Sequence, residues 1–290
     1  MAEIRFRKQP LQVKITYVFF LVTFILLAFI HLVPLFWSFT SSFKTMQDYI
    51  EAPFGLPTEL HFQNFIDVFV EFRVDNIYYM EMLFNSLWIL VVAVIVETLT
   101  SALLAYPLAR FRFPGKEFIY GVVIFANIIP IIGSGPAKFK LMAALNMVNN
   151  PSAIWISWAN AFDFAFIVFY GTFKGISMTY SEAAKMDGAS NIRVLFQIIF
   201  PQAFPSIAAI AITSAINVWN AYGTVQVYLY DYPNLAYGLY LFQKSGMNYV
   251  ENPMPIYFAA TIISCIPVIV LYAANQKLIL TNITAGGLKG

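Results

Sequence analysis

An all-α polytopic membrane protein with six transmembrane helices is the fold this chain predicts, and three observations carry it. Of its 290 residues 60% are hydrophobic and only 11% charged, against roughly a quarter charged in an ordinary soluble domain. The apolar residues gather into six runs that approach or exceed the length of a bilayer-crossing helix, about 20 residues. Lysine and arginine alternate in density from one intervening segment to the next, as in chains that keep their positive loops on the cytoplasmic side.

The first run, Ile15–Ser38, follows Arg5, Arg7, Lys8 and Lys14. It is too long for the apolar region of a cleavable signal peptide, about 7–15 residues, so it reads as a retained anchor. The others are Leu83–Leu108, Phe118–Ile132, Ala153–Phe173, Ile207–Tyr222 and Ile256–Ala274. Pro130, Gly133, Gly135 and Pro136 should interrupt the third near its far end. Residues 1–290 read as a single transmembrane domain. Six crossings put both termini on one side. If that side is cytoplasmic, the inner segments hold 12 of the 17 basic residues and the outer ones only Lys44, Arg73, Lys138, Lys140 and Lys244. The net charge of +2 is then a topology signal, and no basic patch points to nucleic acid. Cys265 is the one cysteine, which excludes an intrachain disulfide.

Two outer segments are long. Within residues 39–82 the stretch FQNFIDVFVEF predicts a phenylalanine-rich helix at the membrane surface. Residues 223–255 are dense in tyrosine, which suits an aromatic belt or a surface for another protein or a sugar.

The inner segment 179–200 is different in kind. Thr179 and Glu182 have the spacing of a capping box. Ala183, Ala184, Lys185 and Met186 favour helix, and Gly188 is placed to end it in a left-handed conformation. Ser190 or Asn191 can cap a second helix running to Phe200, before Pro201 and Pro205. A helix of two turns is far below the roughly 12 residues needed for marginal stability alone, so it must dock on something. The small Ala183 and Ala184 would let a partner come close. An amphipathic helix lying on lipid is the alternative, but the segment lacks the apolar stripe that requires.

The stretch SEAAKMDGASNIRVLFQIIFPQAFPSI resembles the EAA motif of ABC importer permeases. NSL at 85–87, AYPLARFRFPGK at 105–116, WN at 219–220 and TAGGLKG at 284–290 match further elements of that family, specifically its maltose-transporter-like carbohydrate-uptake branch of type I importers. Ser177 stands where the family usually has proline, and Phe200 replaces a common leucine. The resemblance implies a six-span permease in the plasma membrane of a prokaryote with cytoplasmic termini. It implies a second homologous permease, two ATPase subunits, an extracytoplasmic solute-binding protein and a carbohydrate substrate as its partners. It also implies that Glu182, Ala183, Ala184, Asp187 and Gly188 form a coupling helix seated in an ATPase groove, with the tail Thr284–Gly290 against the ATPase subunits.

No Walker sequence occurs in the chain, so ATP and magnesium would be held by the partner ATPase, and no cofactor or metal is expected here. The two histidines, His31 and His61, have no nucleophile elbow near them, so no catalysis is assigned. His31 should hydrogen-bond between helices. Glu97 and Asp163 fall inside apolar runs, where a charge costs several kcal/mol unless it meets a partner or water. Neither belongs to a family motif. Asp163, with Asn160 and Trp158, could accept hydrogen bonds from sugar hydroxyls, or else make a polar contact between helices. Asn127, Asn217, Trp219 and Asn220 are further pathway candidates, since indole stacks on a sugar face and amides bind hydroxyls. Two rival readings remain: an ion-coupled secondary transporter using Glu97 and Asp163, although no pair of broken helices in two related halves is visible, and a non-transporting scaffold that displays 179–200 to an ATPase.

Overall fold

The computed structural model describes residues 10–129, 133–160 and 162–287. These are helical almost throughout, apart from an antiparallel ribbon of β1 (Arg73–Val74) and β2 (Ile77–Tyr78). The helices form two compact units, one from residues up to 72 with 242–263, the other from 73–241 with the residues from 264 onward.

The first unit contains α1 (Leu11–Ser41), α2 (Met46–Glu51) and α3 (Gln63–Val70). No other part of this chain covers the apolar stretch of α1. Thr16, Thr23 and Ser38 donate their hydroxyls to carbonyls four residues back, which pairs these polar groups within the helix itself. His31 does the same: its Nδ1 lies 2.6 Å from the Leu27 carbonyl of its own helix, not on another helix as expected. Beyond α1 a closed loop is held from inside. The buried Lys44 ammonium donates to the carbonyl oxygens of Ala52 (2.6 Å) and Pro53 (3.3 Å), and Asn64 Nδ2 donates to those of Ser42 and Lys44. The helix foreseen in FQNFIDVFVEF is α3.

The second unit runs through α4 (Tyr79–Arg110), α5 (Lys116–Ile128), α6 (Gly135–Ala144), a 3-10 turn (Ile154–Trp158), α7 (Phe164–Gly175), α8 (Met178–Met186) and α9 (Asn191–Val194). A π-turn (Leu195–Ile199) leads into α10 (Phe200–Trp219), followed by α11 (Tyr222–Tyr228) and α12 (Leu235–Lys244). The last helix, α13 (Pro253–Gly287), begins in the first unit and ends in the second. α4 is the central post, packed against α7 and α10. Small Ser101, Ala102 and Ala105 let the backbones approach, as packing in a membrane demands when no hydrophobic force drives helices together. Phe166, Phe169 and Phe173 of α7 fill the space beside them, fully buried. The Phe173 ring lies nearly parallel to that of Phe200 at 6.2 Å.

Among the described residues four helices are long and apolar enough to cross a bilayer: Leu11–Ser41, Tyr79–Arg110, Asn191–Trp219 and Pro253–Gln276. They correspond to the first, second, fifth and sixth predicted spans. The third ends as α5 after 13 residues, about 20 Å of helix, and residues 130–132 lie outside those described. The fourth prediction needs correction. Ala153–Phe173 is not one helix: the 3-10 turn ends at Trp158 and α7 begins at Phe164, with Ala159, Asn160, Phe162 and Asp163 non-helical between them. Asp163 therefore sits at a helix N-terminus, where its carboxylate Oδ1 accepts the Phe166 amide at 3.0 Å. The fifth span does not start at the prolines either. The helix is continuous from Asn191, and the π-turn falls just before Pro201, whose ring would clash with a carbonyl four residues back in a regular α-turn.

Candidate functional site

Two features of the second unit draw on the residues singled out above: a cavity in the wall of α4 and α10, and the exposed face of α8. The cavity has a volume of about 750 Å³ and brings together Glu97 of α4, Asn160 and Asp163 at the break before α7, Asn217 of α10 and Trp158 of the 3-10 turn. Ser101 hydrogen-bonds Asp163 Oδ1 at 2.9 Å, and the Ser214 hydroxyl donates to Glu97 Oε2. Each carboxylate thus has a hydroxyl from a neighbouring element and opens on the cavity. Lys138 also lines the space, its ammonium 5.6 Å from the centre of the Tyr228 ring.

Three of the other candidates lie elsewhere. Asn127 Nδ2 donates to the Val123 carbonyl and Asn220 Nδ2 to the Ile216 carbonyl, each within its own helix, and neither lines the cavity. Trp219 is buried, and its Nε1 donates to the Ser264 carbonyl at 3.2 Å. It braces α10 against α13. Trp219→Phe removes that bond and leaves a void where the pyrrole ring packed, and should cost about 2 kcal/mol or more, seen as a lower unfolding temperature in detergent.

Sequence reasoning passed over Ser157, Thr213, Ser214 and Tyr228, which also line the cavity. The signal for half of them was present: Thr213, Ser214 and Asn217 recur at helical spacing on one face of α10, a polar stripe in an apolar helix.

The second feature, α8, is anchored on one side and open on the other. Its N-cap is Ser177, whose Oγ accepts the Thr179 amide at 3.3 Å. The capping box expected from Thr179 and Glu182 does not form, because the helix has already begun at Met178. Its C-terminus is a Schellman turn: the Ala189 amide donates to the Ala184 carbonyl and the Gly188 amide to that of Lys185, with Gly188 at φ +81° as predicted. Ser190, not Asn191, caps α9. Ser181 is buried and Ala184 packs on the core of α4 and α7, so Ala184 faces inward, where it had been expected to admit a partner. Glu182, Ala183, Met186, Asp187 and Gly188 are exposed. Around them Met186 is 88% exposed, Ile192 71% and Tyr180 55%. Of the tail, residues 284–287 continue α13 and 288–290 lie outside the described residues.

Nothing lies within 4 Å of a Cβ added at Gly188, so a substitution there meets only backbone strain of about 1–2 kcal/mol. Unfolding temperatures in detergent should therefore fall in the order Gly, Asn, Ala, Val at this position, since asparagine tolerates the left-handed region best among side-chain-bearing residues.

Comparison with known proteins agrees with this geometry. A family described as "Binding-protein-dependent transport system inner membrane component" matches residues 53–283. The diacetylchitobiose uptake system permease protein of Streptomyces coelicolor is 29% identical over 90% of this chain and 85% of its own length. The arabinooligosaccharides transport system permease protein of Halalkalibacterium halodurans is 30% identical over 92% of this chain and 94% of its own. A solved structure of a bacterial ABC transporter involved in the import of the acidic polysaccharide alginate has the same fold, with a TM-score of 0.77 at 24% identity over 93% of this chain and 98% of that one. The match takes in both the cavity and α8, and the chain belongs to the family of inner membrane components of binding-protein-dependent transport systems, the permease subunits of ABC importers.

Proposed function

We propose that this permease carries a sugar or oligosaccharide inward, handed over by an extracytoplasmic binding protein, across the plasma membrane of a prokaryote. It does so with a second, homologous permease and two ATPase subunits that bind ATP and magnesium. The observation that carries the reading is α8: a short helix fixed to the membrane helices by one face, with Glu182, Ala183 and Met186 bare on the other. A helix so short cannot stand alone, and an exposed apolar side chain beside an acidic one fits a polar-rimmed groove on a partner. The carbohydrate assignment draws support from the relatives named for diacetylchitobiose and arabino-oligosaccharides. The cavity adds to it: carboxylates and amides for hydroxyl groups, and Trp158 and Phe164 for the apolar faces of a ring.

The chain crosses six times in this reading. Four crossings are the long helices, and the other two run through α5 and through the 3-10 turn with α7, leaving both termini and residues 179–200 cytoplasmic. ATP-driven closure of the ATPase pair pulls α8 inward and tilts α4, α7 and α10. The solute-loaded binding protein favours the same outward-open state, so both ligands shift one equilibrium. Tyrosines of 222–240, two of them stacked at 5.5 Å between Tyr222 and Tyr240, lie on the side that would meet the binding protein.

The test is uptake into proteoliposomes containing all subunits, with the sugar first identified by mass spectrometry of the purified binding protein. ATP inside the appropriate compartment should suffice, and a proton gradient alone should do nothing. Uptake driven by the gradient without ATP would instead select the ion-coupled mechanism through Glu97 and Asp163.

A further inference from the structure

The stretch Ala105–Lys116 is a family match to which the transport reading gives no task, and it contains Arg110, the last residue of α4. Arg110 is buried, and its guanidinium makes four hydrogen bonds. Nη1 donates to the carbonyl oxygens of Phe173 (3.2 Å) and Ile176 (2.5 Å), and Nη2 to the carbonyl of Ser177 (3.1 Å) and the hydroxyl of Ser181 (2.7 Å). One planar group therefore closes the last turn of α7, the joint that follows it, and the first turns of α8. Beside it the Lys185 ammonium of α8 lies 5.6 Å from the centre of the Phe111 ring, and Phe111 packs edge-on against Tyr106.

The chain's own connections to α8 are soft by comparison. On one side only Ile176 and Ser177 lie between α7 and α8; on the other Gly188 turns at φ +81°. α4 has no covalent connection to α8 at all except through the long route of α5–α7. Yet α4 carries Glu97 of the cavity wall, 13 positions before Arg110, and Ser101, which holds Asp163 of that wall, 9 positions before it, about 20 and 14 Å along one helix that has Pro107 in its last turn. We propose that Arg110 is a positioning residue that locks α8 to α4, so that displacement of the coupling helix reaches the cavity wall as a rigid movement and is not absorbed at the two joints. This rests on the reading of α8 as the ATPase-contacting helix. Lysine cannot substitute fully, because one ammonium cannot span both the carbonyl row and Ser181, whereas the arginine fork is pre-shaped for several acceptors.

Spin labels at Met178→Cys, exposed at the start of α8, and Ile95→Cys on a Cys265→Ser background test it in the complete transporter. The α8–α4 distance is read by pulsed electron resonance before and after trapping with ATP and vanadate, and ATP hydrolysis is measured on the same preparation. With Arg110 intact the distance should stay the same on trapping. In Arg110→Gln it should broaden and shift by about 2 Å or more, with hydrolysis retained but solute moved per ATP reduced roughly ten-fold. Arg110→Lys and Ser181→Ala should give smaller changes in the same direction. Ser181→Ala deletes only a hydroxyl and carries the comparison if Arg110→Gln does not assemble. A wild-type distance that itself changes on trapping, or variants that keep both the wild-type distance and the wild-type transport ratio, overturns the proposal. A proportionate fall in hydrolysis and transport at constant distance also overturns it, as a purely structural role. Crosslinking Met186→Cys to the ATPase separates the two readings: its absence removes the coupling helix and this proposal together, and its presence with unmoved distances removes this proposal alone.

Discussion

Ala183→Asp combined with Met186→Asp should stop uptake while the permease still reaches the membrane and pairs with its partner. Both positions lie on the bare face of α8, one turn apart, so neither change disturbs the anchor formed by Ser181, Ala184 and Arg110. A methionine desolvated in a groove contributes about 1.5–3 kcal/mol. Burying an unpaired carboxylate in its place adds a further penalty of several kcal/mol. The sum corresponds to a loss of ATPase affinity of at least about a hundred-fold. The measurement is the amount of ATPase subunit recovered with the tagged permease, together with uptake. Full recovery of ATPase with normal uptake would show that this face docks nothing.

The second large effect belongs to Asp163, which does two jobs that substitution can separate. It caps α7 through the Phe166 amide and receives the Ser101 hydroxyl, and it lines the cavity. Asp163→Asn keeps an acceptor for both bonds and removes the charge. Asp163→Ala also loses the cap, a cost of about 1 kcal/mol, and leaves the Ser101 hydroxyl without its side-chain acceptor. If the carboxylate binds solute hydroxyls, a charge-assisted bond contributing about 1.5–3 kcal/mol is lost in both variants, and each should slow transport roughly ten-fold or more while Asp163→Ala alone lowers thermal stability. Normal transport by Asp163→Asn would reduce this residue to a helix cap.

The contrast between what could be read from residues and what could not follows from the range of the forces involved. α1, α4, α10 and α13 were visible because a long apolar run has one stable solution in lipid. The fourth span misled because Ala153–Phe173 is apolar throughout, and hydropathy does not register a break made by Asn160 and Asp163. The clue was local, an aspartate immediately before FAFIVFY, which is an N-cap pattern. Thr179 and Glu182 matched a capping box, but Ser177 came first as the chain left α7, and a helix needs only one start. In the cavity, Asp163, Asn160 and Asn217 were found because polar side chains are conspicuous in apolar runs, and Glu97 was marked for the same reason. Ser101, Ser214 and the four-way role of Arg110 were not, since each is defined by partners 62 to 117 positions away, distances that no local pattern encodes.

The central claim is that the bare face of α8 looks into the cytoplasm and is covered there by an ATPase subunit. Met186→Cys on the Cys265→Ser background has a single thiol to report it. In inside-out vesicles stripped of ATPase a membrane-impermeant maleimide should label that thiol, and restoring the ATPase subunits should protect it, while in sealed right-side-out vesicles it should stay unlabelled. Labelling from the outer side, or labelling from the inner side that added ATPase does not diminish, would contradict the account.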